Sequence, residues 1–256
     1  MSVEFEQKHK HAVSVPLFES CDRIDWDDFI TASAVTQKLI QAFANDKPLF
    51  RRVLKAVEHD PYLWSKCEED VVEDKIVLWD DMDKGLRIRL RMSTSPQERL
   101  AHSHRFSFTN LVLRGSYLHW NYQLDGKFTE ATRPEDFRTV FLHEDREGEC
   151  FTIHHDALHS TPFTQLGTVS LVLRGNPVKE RAPVMFKESR GRQEAFGDGA
   201  DGRNVGSEQE PRVASAGDMF WRVGEHGETI ERRRERQMSI EKYRYWCNWL
   251  AESGIV

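Results

Sequence analysis

The stretch AHSHRFSFTNLVLRGSYLHW, residues 101–120, decides how this chain is read. His102 and His104 stand one residue apart, a run of strand-forming residues follows, Gly115 interrupts it, and His119 comes next. Alternate side chains of an extended segment point the same way. The two imidazoles therefore share a face, with their backbones about 6–7 Å apart. Imidazole is a good ligand for a borderline metal ion, so this pair offers two ligands and a third must come from elsewhere in the sheet. His159, in HHDALHSTPF just after the apolar CFTIHH, is the best placed, with His154, His155 and His119 as competitors. The bland alternative is an HxH arising by chance in a chain with 11 histidines.

The pentapeptide LVLRG, residues 111–115, returns unchanged at residues 171–175. Both copies read as core strands running into a glycine turn. Around them the period of hydrophobicity is two: KIVLW, LRIRLRM, FSFTNLVLRG, SYLHWNYQLDG, FRTVFLHED, CFTIHH, TVSLVLRG and APVMFKE are strand-like runs separated by turn residues. No helix-length amphipathic pattern interrupts them. Many short strands at this spacing predict an antiparallel sandwich or barrel rather than a doubly wound sheet.

Outside that region the pattern changes. Residues 26–70 read as helical: Asp27 and Asp28 are cap candidates, Ala32, Val35, Leu39, Ile40 and Phe43 fall near helical spacing, and Pro48 is expected to end that element. Phe50, Val53, Leu54 and Val57 repeat the pattern. Residues 187–217 are rich in glycine and charge and nearly free of large apolar side chains, which predicts a mobile loop. From Ile230 to Ala251 a helix is expected, with Tyr243, Trp246, Cys247 and Leu250 on one face packing on the barrel. The organisation is then an arm and helical region at 1–74, a barrel at 75–186, the loop at 187–217 and a C-terminal segment at 218–256.

Composition excludes several classes. A chain of 256 residues can bury a core without staples. Its formal charge of -6 argues against a general nucleic-acid binder. Cys21, Cys67, Cys150 and Cys247 are scattered and form no CxxC, as expected of reduced intracellular thiols. The first residues, MSVEFEQKHKHAV, contain no apolar core of a secretory signal. No run approaches eighteen apolar residues, so the cytoplasm is the expected location and no membrane is involved. The ERRRER cluster before the last helix mixes its arginines with glutamates and reads as a solvated face.

The histidine pattern resembles the cupin superfamily. Its first motif, G-x5-H-x-H-x3,4-E-x6-G, is matched by His102, His104 and Gly115, with Phe108 at the acidic position and TNLVLR filling the six positions before the glycine. In the second motif, G-x5-P-x-G-x2-H-x3-N, HHDALH places His154 at the proline, Asp156 at the glycine and His159 at the ligand. The resemblance covers roughly residues 75–186 and implies a mainly β jelly-roll barrel with N-terminal helices and a C-terminal helix. It also implies a metal held by His102, His104 and His159. Most cupins add a glutamate, which Phe108 cannot replace. A three-histidine shell is similar to the cysteine dioxygenase-like, or thiol dioxygenase, branch, which holds Fe(II).

The chain departs from that branch too. The Ser-x-His-x-Tyr strand of cysteine dioxygenases aligns with SLVLR, where Ser170 is kept but Val172 and Arg174 replace the histidine and tyrosine. An arginine for a substrate carboxylate is sought among Arg87, Arg89 and Arg91, which alternate on a strand leading to the HxH and equally suit the solvated face of an edge strand. His119 alternates with Tyr117 and Asn121, either as a group supporting the site or as a partly exposed strand histidine. Cysteine itself is therefore not the expected substrate. The candidate pocket residues are His119, Arg89, Arg91 and Arg174. The expected function is a mononuclear non-heme iron oxygenase acting on a small molecule and O2, as a monomer or homodimer. The cofactor is Fe(II), with Mn, Ni or Zn as substitutes. The alternatives are a non-catalytic ligand- or metal-binding cupin and a redox-inert metal-dependent isomerase or lyase.

Overall fold

The computed structural model describes residues 9–70, 73–94, 101–129, 132–161, 164–185, 219–223 and 230–256. The expected loop at 187–217 lies outside the described residues. The chain runs α1 (Pro16–Glu19), α2 (Phe29–Asn45), α3 (Lys47–Ala56), α4 (Pro61–Trp64), β1 (Glu73–Asp81), β2 (Leu86–Ser93), β3 (Phe108–Arg114), β4 (Ser116–Leu124), β5 (Phe137–Arg146), β6 (Cys150–Ile153), β7 (Leu158–Ser160), β8 (Val169–Arg174), β9 (Arg181–Met185), β10 (Met219–Val223), α5 (Ile230–Glu235) and α6 (Ile240–Glu252).

The strands are all paired antiparallel, in the orders β1-β2-β8-β3-β6 and β5-β4-β7, with β9 and β10 forming a further pair. β8 inserts between β2 and β3, far from either in sequence, which is the Greek-key crossing of a jelly roll. The protein is thus mainly β with a jelly-roll fold. Among the described residues the strands make separate sheets rather than one closed barrel.

The repeat has a simple tertiary meaning. The two LVLRG copies lie side by side, with Leu111 opposite Leu171. Their glycines answer to different constraints. Gly115 sits at φ +80° in the tight connection from β3 to β4, a conformation that favours glycine, and an added Cβ would collide with Thr168. Gly175 has no such backbone; instead a Cβ there would lie 2.5 Å from Nε1 of Trp26. The second copy thus ends against an indole rather than in a left-handed turn.

Alternation on β2 and β8 separates two environments. Leu86, Ile88, Leu90 and Met92, with Val169, Leu171 and Leu173, are fully buried in the same cluster as Phe18, Ile40, Phe43, Phe50 and Leu54 of the helices. Burial of each such side chain contributes about 1.5–3 kcal/mol, so this face anchors the helical layer. The opposite face carries Arg87, Arg89 and Arg91. It points toward the second sheet, since Tyr117 Oη of β4 donates to Ser170 Oγ of β8 across 2.9 Å. The edge-strand reading of these arginines is therefore corrected. β2 lies between β1 and β8, and its arginines enter the space between the sheets.

The helices follow their caps. Asp28 accepts from Thr31 N at the start of α2, and Asp46 accepts from Leu49 N at the start of α3. Pro48 does not end the first helix; it occupies the first turn of the next, where a missing N–H is harmless. Val35 is exposed rather than core. The C-terminal helix is divided: α5 ends at Glu235, and Ser239 caps α6 by accepting from Lys242 N. Tyr243, Trp246 and Leu250 are buried as expected, but against the helical layer and the start of β1: Tyr243 Oη donates to Leu54 O, and Trp246 Nε1 donates to Asp74 Oδ2 at 2.7 Å. Among the described residues no helix is long and apolar enough to cross a membrane.

Candidate metal centre

His102 and His104 do not lie on a regular strand, because β3 begins only at Phe108. Their segment is still extended and pairs like a strand. His102 and His159 exchange both backbone bonds, N to O at 2.9 and 3.0 Å, and His104 N donates to His155 O at 3.3 Å. This bridge sets the third histidine directly opposite the first. The ring centroids of His102 and His104 are 5.0 Å apart, those of His102 and His159 4.5 Å, and those of His104 and His159 4.9 Å. One nitrogen from each falls within 4.8 Å of the others, and Nε2 of His104 lies 2.6 Å from Nε2 of His159. His102 and His159 are buried, while His104 keeps some exposure.

The competitors fall elsewhere. His154 and His155 lie against each other as tilted rings with centroids 3.9 Å apart, and His155 Nδ1 is held 3.1 Å from Ser107 Oγ. Burial, then the neighbouring His154, pushes the His155 pKa below the usual imidazole range. His119 lies behind His159: its Nε2 is 2.7 Å from His159 Nδ1, and its Nδ1 is 2.8 Å from Asp145 Oδ2. At 2 % exposure His119 is not a partly exposed strand residue, and that reading is corrected. His143 Nε2 completes the chain at 2.8 Å from Asp145 Oδ1.

The order of protons along this chain follows from donor and acceptor roles. A carboxylate only accepts, so His119 presents N–H at Nδ1 to Asp145. A neutral His119 then accepts at Nε2, and His159 donates from Nδ1. That leaves the lone pair of His159 on Nε2, facing His104. Outer partners of this kind fix the tautomer and orientation of a ligating imidazole. Sequence reasoning missed Asp145 and His143. Their only signal was alternation in FLHED, and the β4–β5 register that sets His119 opposite His143 is not visible there.

Phe108, at the carboxylate position of the resemblance, is buried with its ring 4.8 Å from that of His104. It packs the shell and offers no ligand. Deeper between the sheets, register brings Arg174 beside Phe108 and Arg87, Val172 beside Asn110 and Arg89, and Ser170 beside Val112 and Arg91. The arginines differ in use. Arg87 is bound to Asp80 through Nε and Nη2 at 2.8 and 2.9 Å, and Arg91 is bound to Glu73. Among the candidate residues, Arg91 is thus held within the wall. Arg174 and Arg89 both lie over Phe106, at 4.4 and 5.8 Å. Arg89 Nε and Asn110 Nδ2 are buried without a hydrogen-bond partner among the described residues. Burial, then repulsion from Arg91, pushes the Arg89 pKa down to about 10.

No family model matches the chain, and no curated protein matches it. Solved structures do. KdgF from Halomonas sp. aligns at 14 % identity and a TM-score of 0.31, over 44 % of this chain and 88 % of its own. An RmlC-like cupin from Shewanella frigidimarina aligns at 16 % identity and a TM-score of 0.30, over 44 % of this chain and 85 % of its own. A single-substitution form of oxalate decarboxylase from Bacillus subtilis aligns at 14 % identity and a TM-score of 0.32, over 44 % of this chain and 28 % of its own.

Proposed function

We propose that this protein is a metal-dependent cupin enzyme, a mononuclear non-heme iron oxygenase acting on a small molecule with an anionic group. The observation that carries the reading is the meeting of His102, His104 and His159 with a buried His119–Asp145 support behind the third ring. The donor set suits the metal: three neutral imidazoles serve Fe(II), Mn, Ni or Zn alike. When bound, Fe(II) would supply a dicationic centre with open positions for O2 and substrate.

The chain's own residues do the rest. His119 and Asp145 hold the proton of His159 on Nδ1 and so leave its Nε2 as the unprotonated, ligating nitrogen. Phe108 and Phe106 shield the shell from water. Arg89 Nε and Asn110 Nδ2 are buried donors without partners among the described residues, and an anionic group is the ligand that satisfies them. Arg174, over the same Phe106 ring, adds positive charge on that side. In this reading the partners are O2 and a small molecule, with no nucleic acid or membrane, and the chain works as a monomer or homodimer. A cytoplasmic site is supported by Cys21, Cys67, Cys150 and Cys247, all free thiols.

The test is metal per chain and O2 uptake. His102→Ala, His104→Ala and His159→Ala should each empty or severely weaken the site while the fold survives. His154→Ala and His155→Ala should leave it near normal. Stoichiometric Zn, Mn or Ni without O2 uptake would replace the oxygenase with a redox-inert enzyme. Absence of metal would leave only a binding role.

A further inference from the structure

A second His-x-His pair occurs at His9 and His11. Like the first, it meets a donor brought by the fold from a distant position. Asp60 stands at the start of α4, where its Oδ1 accepts from the backbone N–H groups of Tyr62 and Leu63 at 3.1 and 3.0 Å. That capping duty leaves Oδ2, which lies 2.9 Å from His9 Nε2. The rings of His9 and His11 meet at 89° with centroids 4.7 Å apart, and one ligand atom from each of the three residues lies within 4.8 Å of the others.

The surroundings hold the donors in place. His9 stacks on Tyr62 at 4.2 Å, and His11 stacks on Trp79 at 3.6 Å. Both ring nitrogens of His11 are buried without a hydrogen bond of normal geometry among the described residues. The backbone of Asp80 lies close enough to one ring nitrogen to act on its charge, which leaves the other nitrogen without the partner it requires. Burial, then the neighbouring His9, pushes the His11 pKa below the usual imidazole range, and neutral imidazole is the ligating form.

Charge separates this cluster from the others. In the group His154, His155 and Asp156 the carboxylate is already taken by Lys179. The group His119, His143 and Asp145 is committed to His159. Among the described residues no lysine or arginine forms an ion pair with Asp60, while nearby Asp80 is neutralised by Arg87. Ligands around one ion at bonds of roughly 2.0–2.2 Å stand about 3.4 Å apart in a tetrahedral site. Side-chain rotations that bring donor atoms now within 4.8 Å of one another closer by up to about 1.4 Å would close the set.

The geometry points to a second, independent metal site, in which His9, His11 and Asp60 take one borderline divalent ion such as Zn2+ and tie the N-terminal arm to α4 and to Trp79 of β1. Two imidazoles and one carboxylate leave the remaining positions to water, which suits a structural ion in a half-buried site. The site does not rest on the function proposed for the three-histidine centre.

The test is Zn2+ titration of the untagged full chain after chelator stripping, read by calorimetry. Two ions per chain are expected. His9→Ala/His11→Ala should lose one and keep the other, and His102→Ala/His104→Ala should do the converse. If the first double variant fails to fold, His9→Gln, which can still hydrogen-bond to Asp60, should give the same loss. The proposal is overturned if the arm variants bind as many ions as the wild type with unchanged affinity. It is equally overturned if the wild type binds one ion that only the His102 and His104 substitutions remove. Retention of one ion by the His102→Ala/His104→Ala protein and its loss in the arm variants supports this site, whatever the fate of the oxygenase reading.

Discussion

Asp145→Asn tests the support behind His159 with the smallest change of shape. Asp145 is 4 % exposed and accepts from two rings, His119 Nδ1 and His143 Nε2, both at 2.8 Å. An amide has the same outline but only one acceptor oxygen. If that oxygen serves His143, the NH2 group faces His119 Nδ1 and needs an acceptor there. His119 must then move its proton to Nε2, 2.7 Å from His159 Nδ1. His159 in turn must carry its proton on Nε2, the atom that should ligate. Restoring the ligating tautomer leaves an unsatisfied contact somewhere along the chain. Loss of such an outer partner weakens metal affinity by about 10- to 100-fold, which is about 1.4–2.7 kcal/mol. The assay is competition between the protein and a chromophoric chelator for Zn2+ or, without oxygen, Fe2+. A thermal melt of the metal-free variant checks that the fold is intact. Affinity within twofold of wild type in a folded Asp145→Asn protein would refute the coupling.

Three further outcomes follow from the packing and the charges. Gly175→Ala should destabilise by about 1–3 kcal/mol through overpacking, because its Cβ would press on Trp26, whose Nε1 donates to Gly85 O at 3.0 Å; urea unfolding measures it, and wild-type stability would mean the indole can yield. Phe108→Glu should keep the metal but lower the stability of the metal-free protein, since it buries a carboxylate beside His104; a larger melting-temperature gain on adding Zn2+ than in wild type is the expected reading. Burial works to raise the Glu68 pKa, but Lys75 and Arg236 hold it at about 2 against an ordinary 4.5. A depressed carboxyl stabilises the fold above pH 4.5 and loses that contribution as pH falls toward 2. Melts of wild type and Glu68→Gln across that window should converge in acid, and parallel curves would sink the assignment.

The sequence by itself determined what depends on local periodicity. Alternation in twos places eight strand-like runs, and the structure has a strand in each of them. Solvation and side-chain sterics act residue by residue, so this pattern survives any tertiary arrangement. Spacing also brought His102 and His104 forward as a pair, because alternate residues of an extended chain share a face, while His159 joined them through its place after CFTIHH and the resemblance to the second cupin motif. Short strands such as β7, with three residues, carry no such signal and were decided by pairing with β4 and with the His102 segment.

What only the tertiary structure decided is everything that depends on register between distant segments. LRIRLRM reads the same on an edge strand and a central one. It became the wall of an interior when β8 paired with its far side, and solvent-seeking arginines then became a half-buried polar face. His119 looks like any strand histidine until β5 sets Asp145 and β7 sets His159 within hydrogen-bond reach. Pro48 carries one fixed φ, which starts a helix as readily as it ends one, and Asp46 as cap settled the matter. A hydrogen bond between residues 26 or 40 positions apart is fixed by the closing of the sheets around it, and no local preference encodes which partner will arrive.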